Sequence, residues 1–331
     1  MDHVAVIGAG SWGTAVAALA ATHQPVVLWS RRPELAEAIN SKSENPDYLP
    51  GYRLPYGVRA TSDLDEATEG ATLVAMAVPS HGFREVMDRV SGLPTDLPMV
   101  SLTKGIEERT LKRMTEVLVG LIPDHNTETI GVLTGPNLAG EVMAGQPTAA
   151  VVAIVDEDAA AIVQRALMGL TFRVYTNPDV VGCELAGSLK NVMAIAAGMS
   201  TGLGFGDNTR AALLTRALAE LTRLGVALGG QPATFAGLAG MGDLIATCTS
   251  VQSRNFRVGI GLAQGRKLDH IIEEMKMVAE GVKTTRAVLE LAAAANVEMP
   301  IASQVAMVLY EGHHPRDAVM SLMTRQAKSE T

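Results

Sequence analysis

The stretch VAVIGAGSWGTAVAALAA, residues 4–21, decides the fold of the first half of the chain. Its apolar start runs straight into glycines at 8, 10 and 13, and an alanine-rich pattern with helical spacing follows at once. A buried strand, a bare turn and a helix start in that order build one βα unit. Each glycine has a separate reason to be there. Gly8 permits a tight turn, Gly10 removes a side chain where a pyrophosphate approaches the backbone, and Gly13 lets helix and strand pack closely. Free N–H groups and the helix dipole favour an anion at that turn. A dinucleotide is the expected occupant.

Working outward, apolar runs of strand length stand at 4–8, 26–29, 72–78, 99–103, 130–134 and 149–155. Helical patterns fall between most of them, at 12–23, 33–41, 81–90, 110–121 and 156–170. Strands that alternate with helices imply parallel pairing in a doubly wound sheet, and continuous apolar strands imply a sheet covered on both faces. After FRVYTNPD, residues 172–179, the strand-like runs stop. Helical spacing then dominates 180–199, 210–228, 255–264, 268–275, 284–295 and 301–311. Asn177 and Pro178 read as a helix start, with Asn as cap and Pro in the first turn. The expected fold class is α/β. An N-terminal Rossmann-like doubly wound sheet over residues 1–180 is followed by an all-helical C-terminal domain over 181–331. A ligand between two such domains would meet groups from both.

The chain has 331 residues, 47% of them hydrophobic, 32 glycines and a formal net charge of −8. That length accommodates two domains and a large core. The acidic balance excludes a molecule built to coat nucleic acid, so a bound anion needs a local cluster of cations. Cys183 and Cys248 form no CxxC pattern, which points to a reduced cytosol and to no metal site. No apolar run of about 18 residues is read, so no membrane span is expected. No basic region precedes the first apolar run, and no signal peptide is read there.

The choice of dinucleotide turns on VVLWSRRPE, residues 26–34. An NAD site usually places Asp or Glu at the end of the second strand, where it bonds the ribose hydroxyls. Here Ser30, Arg31 and Arg32 replace the acid, and Glu34 comes too late. Two guanidiniums suit a 2′-phosphate, so NADP(H) is favoured while NAD(H) stays possible. The alternative is an arginine that faces solvent or stacks on adenine.

Further pieces fall at strand ends, where ligands of open α/β sheets sit. SLTKGIE, residues 101–107, carries Lys104 at such an edge, VPSHGF ends the strand before it, and LTGPNLAGE, residues 133–141, gives another strand, turn and helix start. In the second half, CELAGSLKNVMAIAAGM places Lys190 in a helix of small and apolar residues, with Asn191 beside it as a partner for a substrate oxygen. Burying an ammonium is costly unless it is paired or neutralised. Two readings of Lys190 stand: an amine that exchanges a proton near neutrality, or a lysine that reaches solvent from the helix edge. GMGDLIATCTSVQSRNFRVG, residues 240–259, sets Asp243 after two glycines and Ser253, Arg254 and Asn255 before a helix. That helix start either binds an anion or is a simple cap with an exposed arginine. Glu280, in the polar loop VAEGVKTT, either bonds a ribose or nicotinamide amide or caps the next helix.

The chemistry these pieces permit is narrow. A dinucleotide supplies hydride, a lysine exchanges the proton of an alcohol oxygen, and further cations hold an anionic group away from the reacting carbon. Reversible reduction of a small phosphorylated ketone fits. The strings GAGSWGTA, VPSH, TKGIE, GPNLAGEV, FRVYTNPDVVG, GSLKNVMAIAAGM, GLAGMGDLIATCTS, QSRN and EGVKTT carry a family resemblance. Over essentially its full length the chain resembles the bacterial NAD(P)-dependent sn-glycerol-3-phosphate dehydrogenases.

That resemblance implies interconversion of dihydroxyacetone phosphate and sn-glycerol 3-phosphate, which supplies phospholipid synthesis. By motif position it makes Lys190 the proton acceptor in the oxidation direction and puts Lys104 against both cofactor and substrate. It adds Gly135, Asn137, Asp243, Ser253, Arg254 and Asn255 to the substrate site. For the cofactor it implies Gly8, Gly10, Ser11, Trp12, Gly13, Arg31, Arg32, Ala139, Arg254, Val278 and Glu280. The pattern departs at Asn137, where the family often has Thr or Ser, and at Arg31, a variable position. A cytoplasmic homodimer without metal, nucleic acid or membrane span is implied. Two other readings share the architecture: a two-domain dehydrogenase of hydroxy acids or sugar acids, and a dinucleotide sensor without turnover.

Overall fold

The computed structural model describes residues 2–275, 279–326 and 329. Its ten strands are β1 (His3–Ile7), β2 (Val26–Trp29), β3 (Glu44–Asn45), β4 (Leu49–Arg53), β5 (Val58–Thr61), β6 (Ala71–Met76), β7 (Met99–Ser101), β8 (Ile130–Thr134), β9 (Thr148–Ala153) and β10 (Phe172–Asn177). Eight of them form one sheet in the order β10-β9-β8-β7-β6-β1-β2-β5. The strand order reverses at β1, which pairs with β2 on one side and β6 on the other. The glycine turn leaves the carboxyl end of β1, so it sits at the switch point where such sheets bind ligands.

β1 shows why the sheet is covered on both faces. Val4 and Val6 join one apolar cluster with Val16 and Leu28. Ala5 and Ile7 join the other, with Val74, Met76 and Phe83. Successive side chains of a strand point to opposite faces, so a strand buried twice must be apolar throughout. Each large side chain so buried contributes about 1.5–3 kcal/mol.

The sheet departs from the expected parallel pairing at one place, where β9 runs antiparallel to β8. Its cause is the connection. The helix between them, Ala139–Met143, has five residues and reaches only about 8 Å. That is too short to carry the chain back along β8, so β9 returns from the far end. β3 and β4 form a separate antiparallel ribbon that the sequence reading lacked.

The chain divides into two compact units, Met1–Lys104 with Lys112–Glu184, and Gly105–Leu111 with Leu185–Thr331. The described residues of the second beyond Glu184 are helices and their connections. The break falls inside the long helix Val180–Gly202. That helix starts at Val180 and not at Asn177. Asn177 Oδ1 accepts from Asp179 N, and Asp179 Oδ1 accepts from Gly182 N at 2.8 Å, so Asp179 satisfies the first turn. Contrary to the sequence expectation, this helix is long and apolar enough to cross a bilayer, with a mean hydropathy of 1.3. In the fold, 89% of that apolar window is buried. Its small residues serve close packing: a Cβ on Gly198 would lie 2.0 Å from Phe256 O, and one on Gly259 would lie 2.1 Å from Ile195 O.

Candidate active site

In the sheet unit the three glycines of the turn separate by role. Gly8 has φ +124°, and a Cβ there would lie 2.7 Å from Ala77 O. A Cβ on Gly13 would lie 2.0 Å from Gly8 O. Around Gly10 nothing stands within 4 Å of where a Cβ would be. The helix Ser11–Ala20 begins there with no side-chain cap and no acid in its first turn. An open backbone cradle at a helix start without a side-chain cap fits an anionic pyrophosphate, so these residues suit a dinucleotide. Trp12 adds a buried indole Nε1 with no hydrogen-bond partner. Ser11 Oγ donates to Tyr48 O at 2.7 Å.

At the end of β2 the two arginines differ. Arg32 pairs with Asp47 and lies 5.8 Å from the centre of the Tyr48 ring. Arg31 is exposed and makes no ion pair among the described residues. Lys104 Nζ donates to Gly135 O at 2.8 Å, and Gly135 itself has φ +125°. Asn137 buries both amide atoms without a partner. An amide left so is costly, which marks a place a polar ligand would occupy. Ala139 opens the short helix that follows.

In the helical unit, Lys190 is 4% exposed and Asp243 2%. Lys190 Nζ lies 2.8 Å from Asp243 Oδ1 and donates also to Thr247 Oγ1. Thr247 Oγ1 donates in turn to Asp243 Oδ1 at 3.2 Å. The solvent-reaching reading of Lys190 is therefore wrong. Asp243 supplies beside it the opposite charge that burial of an ammonium demands. Asp243 is aimed by a π turn, Leu238–Gly242, which runs directly into the helix Asp243–Thr249. Gly240 is required there, since its Cβ would lie 2.1 Å from Phe235 O. Thr247 escaped the sequence reading. Its signal was the four-residue spacing from Asp243, which puts both on one helix face.

A second polar chain runs beside the first. Asn255 Nδ2 donates to Asn191 Oδ1 at 3.0 Å, and Asn255 Oδ1 accepts from Gly281 N at 2.9 Å. Ser253 caps the helix Arg254–Ala263 by accepting from Phe256 N. Arg254 opens that helix, where desolvation of its guanidinium pulls its pKa down against the opposing charge of Glu280. Glu280 does not sit in a loop: it is the first residue of the helix Glu280–Ala294. Val278 lies outside the described residues. Among the described residues no group of three or more His, Cys, Asp or Glu is placed to hold a metal ion.

Residues 3–160 match the N-terminal family of NAD-dependent glycerol-3-phosphate dehydrogenase, and residues 179–320 match its C-terminal family. The chain belongs to the NAD-dependent glycerol-3-phosphate dehydrogenases. It is similar to glycerol-3-phosphate dehydrogenase [NAD(P)+] 2 of Sphingopyxis alaskensis, at 54% identity over 91% of this chain and 90% of that one. It is also similar to glycerol-3-phosphate dehydrogenase [NAD(P)+] of Bacillus pumilus, at 49% identity over 98% of this chain and 95% of that one. The crystal structure of the Coxiella burnetii glycerol-3-phosphate dehydrogenase superposes with a TM-score of 0.92 at 38% identity, covering 98% of this chain and 99% of that one. As a glycerol-3-phosphate dehydrogenase of net charge −8, the chain carries Lys104 in its sheet unit and Lys190 and Arg254 in its helical unit.

Proposed function

We propose that the enzyme catalyses the reversible NAD(P)H-dependent reduction of dihydroxyacetone phosphate to sn-glycerol 3-phosphate, and so supplies the backbone of glycerophospholipids. The observation that carries this reading is the buried Lys190–Asp243–Thr247 cluster in a chain matched to the family in both halves. Bound NAD(P)H supplies the hydride. Lys190 Nζ gives its proton to the carbonyl oxygen of the ketone as charge develops there, and takes it back in the oxidation direction. Asp243 and Thr247 fix where that amine points. Asp243, Lys104, Gly135 and Asn137 contact the substrate, and Ser253, Arg254 and Asn255 hold its phosphate.

The glycine turn, Ser11, Trp12, Arg31, Arg32, Lys104 and Ala139 hold the dinucleotide from residues 1–180. Arg254, Val278 and Glu280 do so from residues 181–331, which also carry Lys190. NADP(H) is favoured through Arg31 and Arg32, with NAD(H) also accepted. The enzyme works as a cytoplasmic homodimer, in keeping with its family and its free cysteines. Initial rates on dihydroxyacetone phosphate and on a panel of 2-oxo acids, each with NADPH and NADH, test the assignment. Preference for the triose phosphate is the expected result. Preference for a carboxylate substrate would overturn it.

A further inference from the structure

Where an NAD site usually carries an acid at the end of β2, this chain has Ser30, Arg31 and Arg32. The fold brings an acid to the same edge by another route. Asp47 lies between β3 and β4, and its carboxylate pairs with Arg32. The residues around it are fastened to the glycine turn and its helix. Asn45 Nδ2 donates to Ala9 O at 2.9 Å and to Thr14 Oγ1 at 2.8 Å. Tyr48 N donates to Asn45 Oδ1 at 3.2 Å, and Ser11 Oγ donates to Tyr48 O at 2.7 Å. Asn45 is fully buried, so this attachment is part of the core. Asp47 itself is half exposed, at 47%, as is Arg32 at 41%.

We propose that Asp47 sets the choice between NADPH and NADH. The proposal rests on the reading of Arg32 as a contact for the 2′-phosphate. A 2′-phosphate has to displace Asp47 from Arg32 and meets its negative charge. A 2′-hydroxyl is a donor, and a carboxylate accepts from it. One side chain therefore weakens NADPH and strengthens NADH. Arg31, exposed and without an ion pair among the described residues, supplies attraction for the phosphate that Asp47 does not occupy. Exposed ion pairs exchange partners cheaply, so the balance is shallow and both cofactors are used.

The test is calorimetric binding of NADPH, NADH, 2′-AMP and 5′-AMP to the full-length enzyme and to two variants, Asp47→Asn and Arg32→Ala. Both side chains are half exposed, and circular dichroism checks that the variants fold. Asp47→Asn is expected to tighten NADPH and 2′-AMP about threefold and to weaken NADH by a similar factor, with the effect shrinking at high salt. An unchanged NADPH-to-NADH ratio in Asp47→Asn, beside weakened NADPH in Arg32→Ala, overturns the role of Asp47 alone. Unchanged NADPH and 2′-AMP binding in Arg32→Ala overturns the reading of Arg32, and this proposal with it.

Discussion

A lysine can stay buried at position 190 only because two residues far along the chain meet it. Thr247 stands 57 residues away and Asp243 one helical turn before that. The sequence exposed the anomaly, a charge inside GSLKNVMAIAAGM, and the few ways burial permits it. It did not expose the partner, because chain separation carries no record of which side chains a fold brings together. Lys190→Ala is expected to lower kcat about 10²- to 10⁴-fold, while the Kd of NADPH moves little. The same change leaves Asp243 buried without its cation, so the melting temperature should drop as well. Steady-state kinetics, NADPH titration and thermal melts check the three effects. A variant with near wild-type kcat on dihydroxyacetone phosphate would remove Lys190 from the chemistry. Thr247→Val keeps the ion pair and removes the hydroxyl, and about a tenfold loss in kcat is expected from the less constrained amine.

At the scale of elements, the glycine turn separates binding from folding. Gly10→Ala adds a methyl to open space and should leave the melting temperature nearly unchanged, within about 0.5 kcal/mol, while weakening NADPH. Gly13→Ala drives a methyl to 2.0 Å from Gly8 O and should cost on the order of 1–3 kcal/mol or more of stability. Paired melts and titrations on the two variants check this; equal stability losses would mean that the turn is not built this way. That turn was legible because its constraint is local, three glycines between an apolar strand and a helix. The twice-covered strands were legible because burial on both faces writes a largely apolar run, as in β1, β6 and β8. The reversal of β9 was not, since it depends on the length of one five-residue helix. Nor was the π turn ahead of Asp243, where Gly240 answers to a close approach by Phe235 rather than to any local pattern.

At the scale of the whole molecule, one buried carboxylate ties stability to pH. Glu220 is 3% exposed; its Oε1 accepts from Ile301 N at 2.8 Å and its Oε2 is buried without a partner. Burial pushes its carboxyl up to about 7, against the pull of the Ile301 and Ala302 N–H groups. In the unfolded chain a glutamate titrates near 4.5. The folded state thus holds an extra proton between those values. The contribution of Glu220 is complete below about 4.5 and drains away as pH rises through about 7. Glu220→Gln keeps the acceptor for Ile301 N and cannot ionise. Its melting temperature relative to wild type should climb between pH 5 and pH 8; a gap that stays constant would reject this linkage. The sulfur atoms point the other way. Cys183 and Cys248 are unpaired and buried, and both thiols are pushed up to about 12. Near neutrality only about one in 10⁵ of either is thiolate. Thiol-directed alkylating reagents will find neither cysteine until the chain opens, so the enzyme can be stored and assayed without a reductant to guard its thiols.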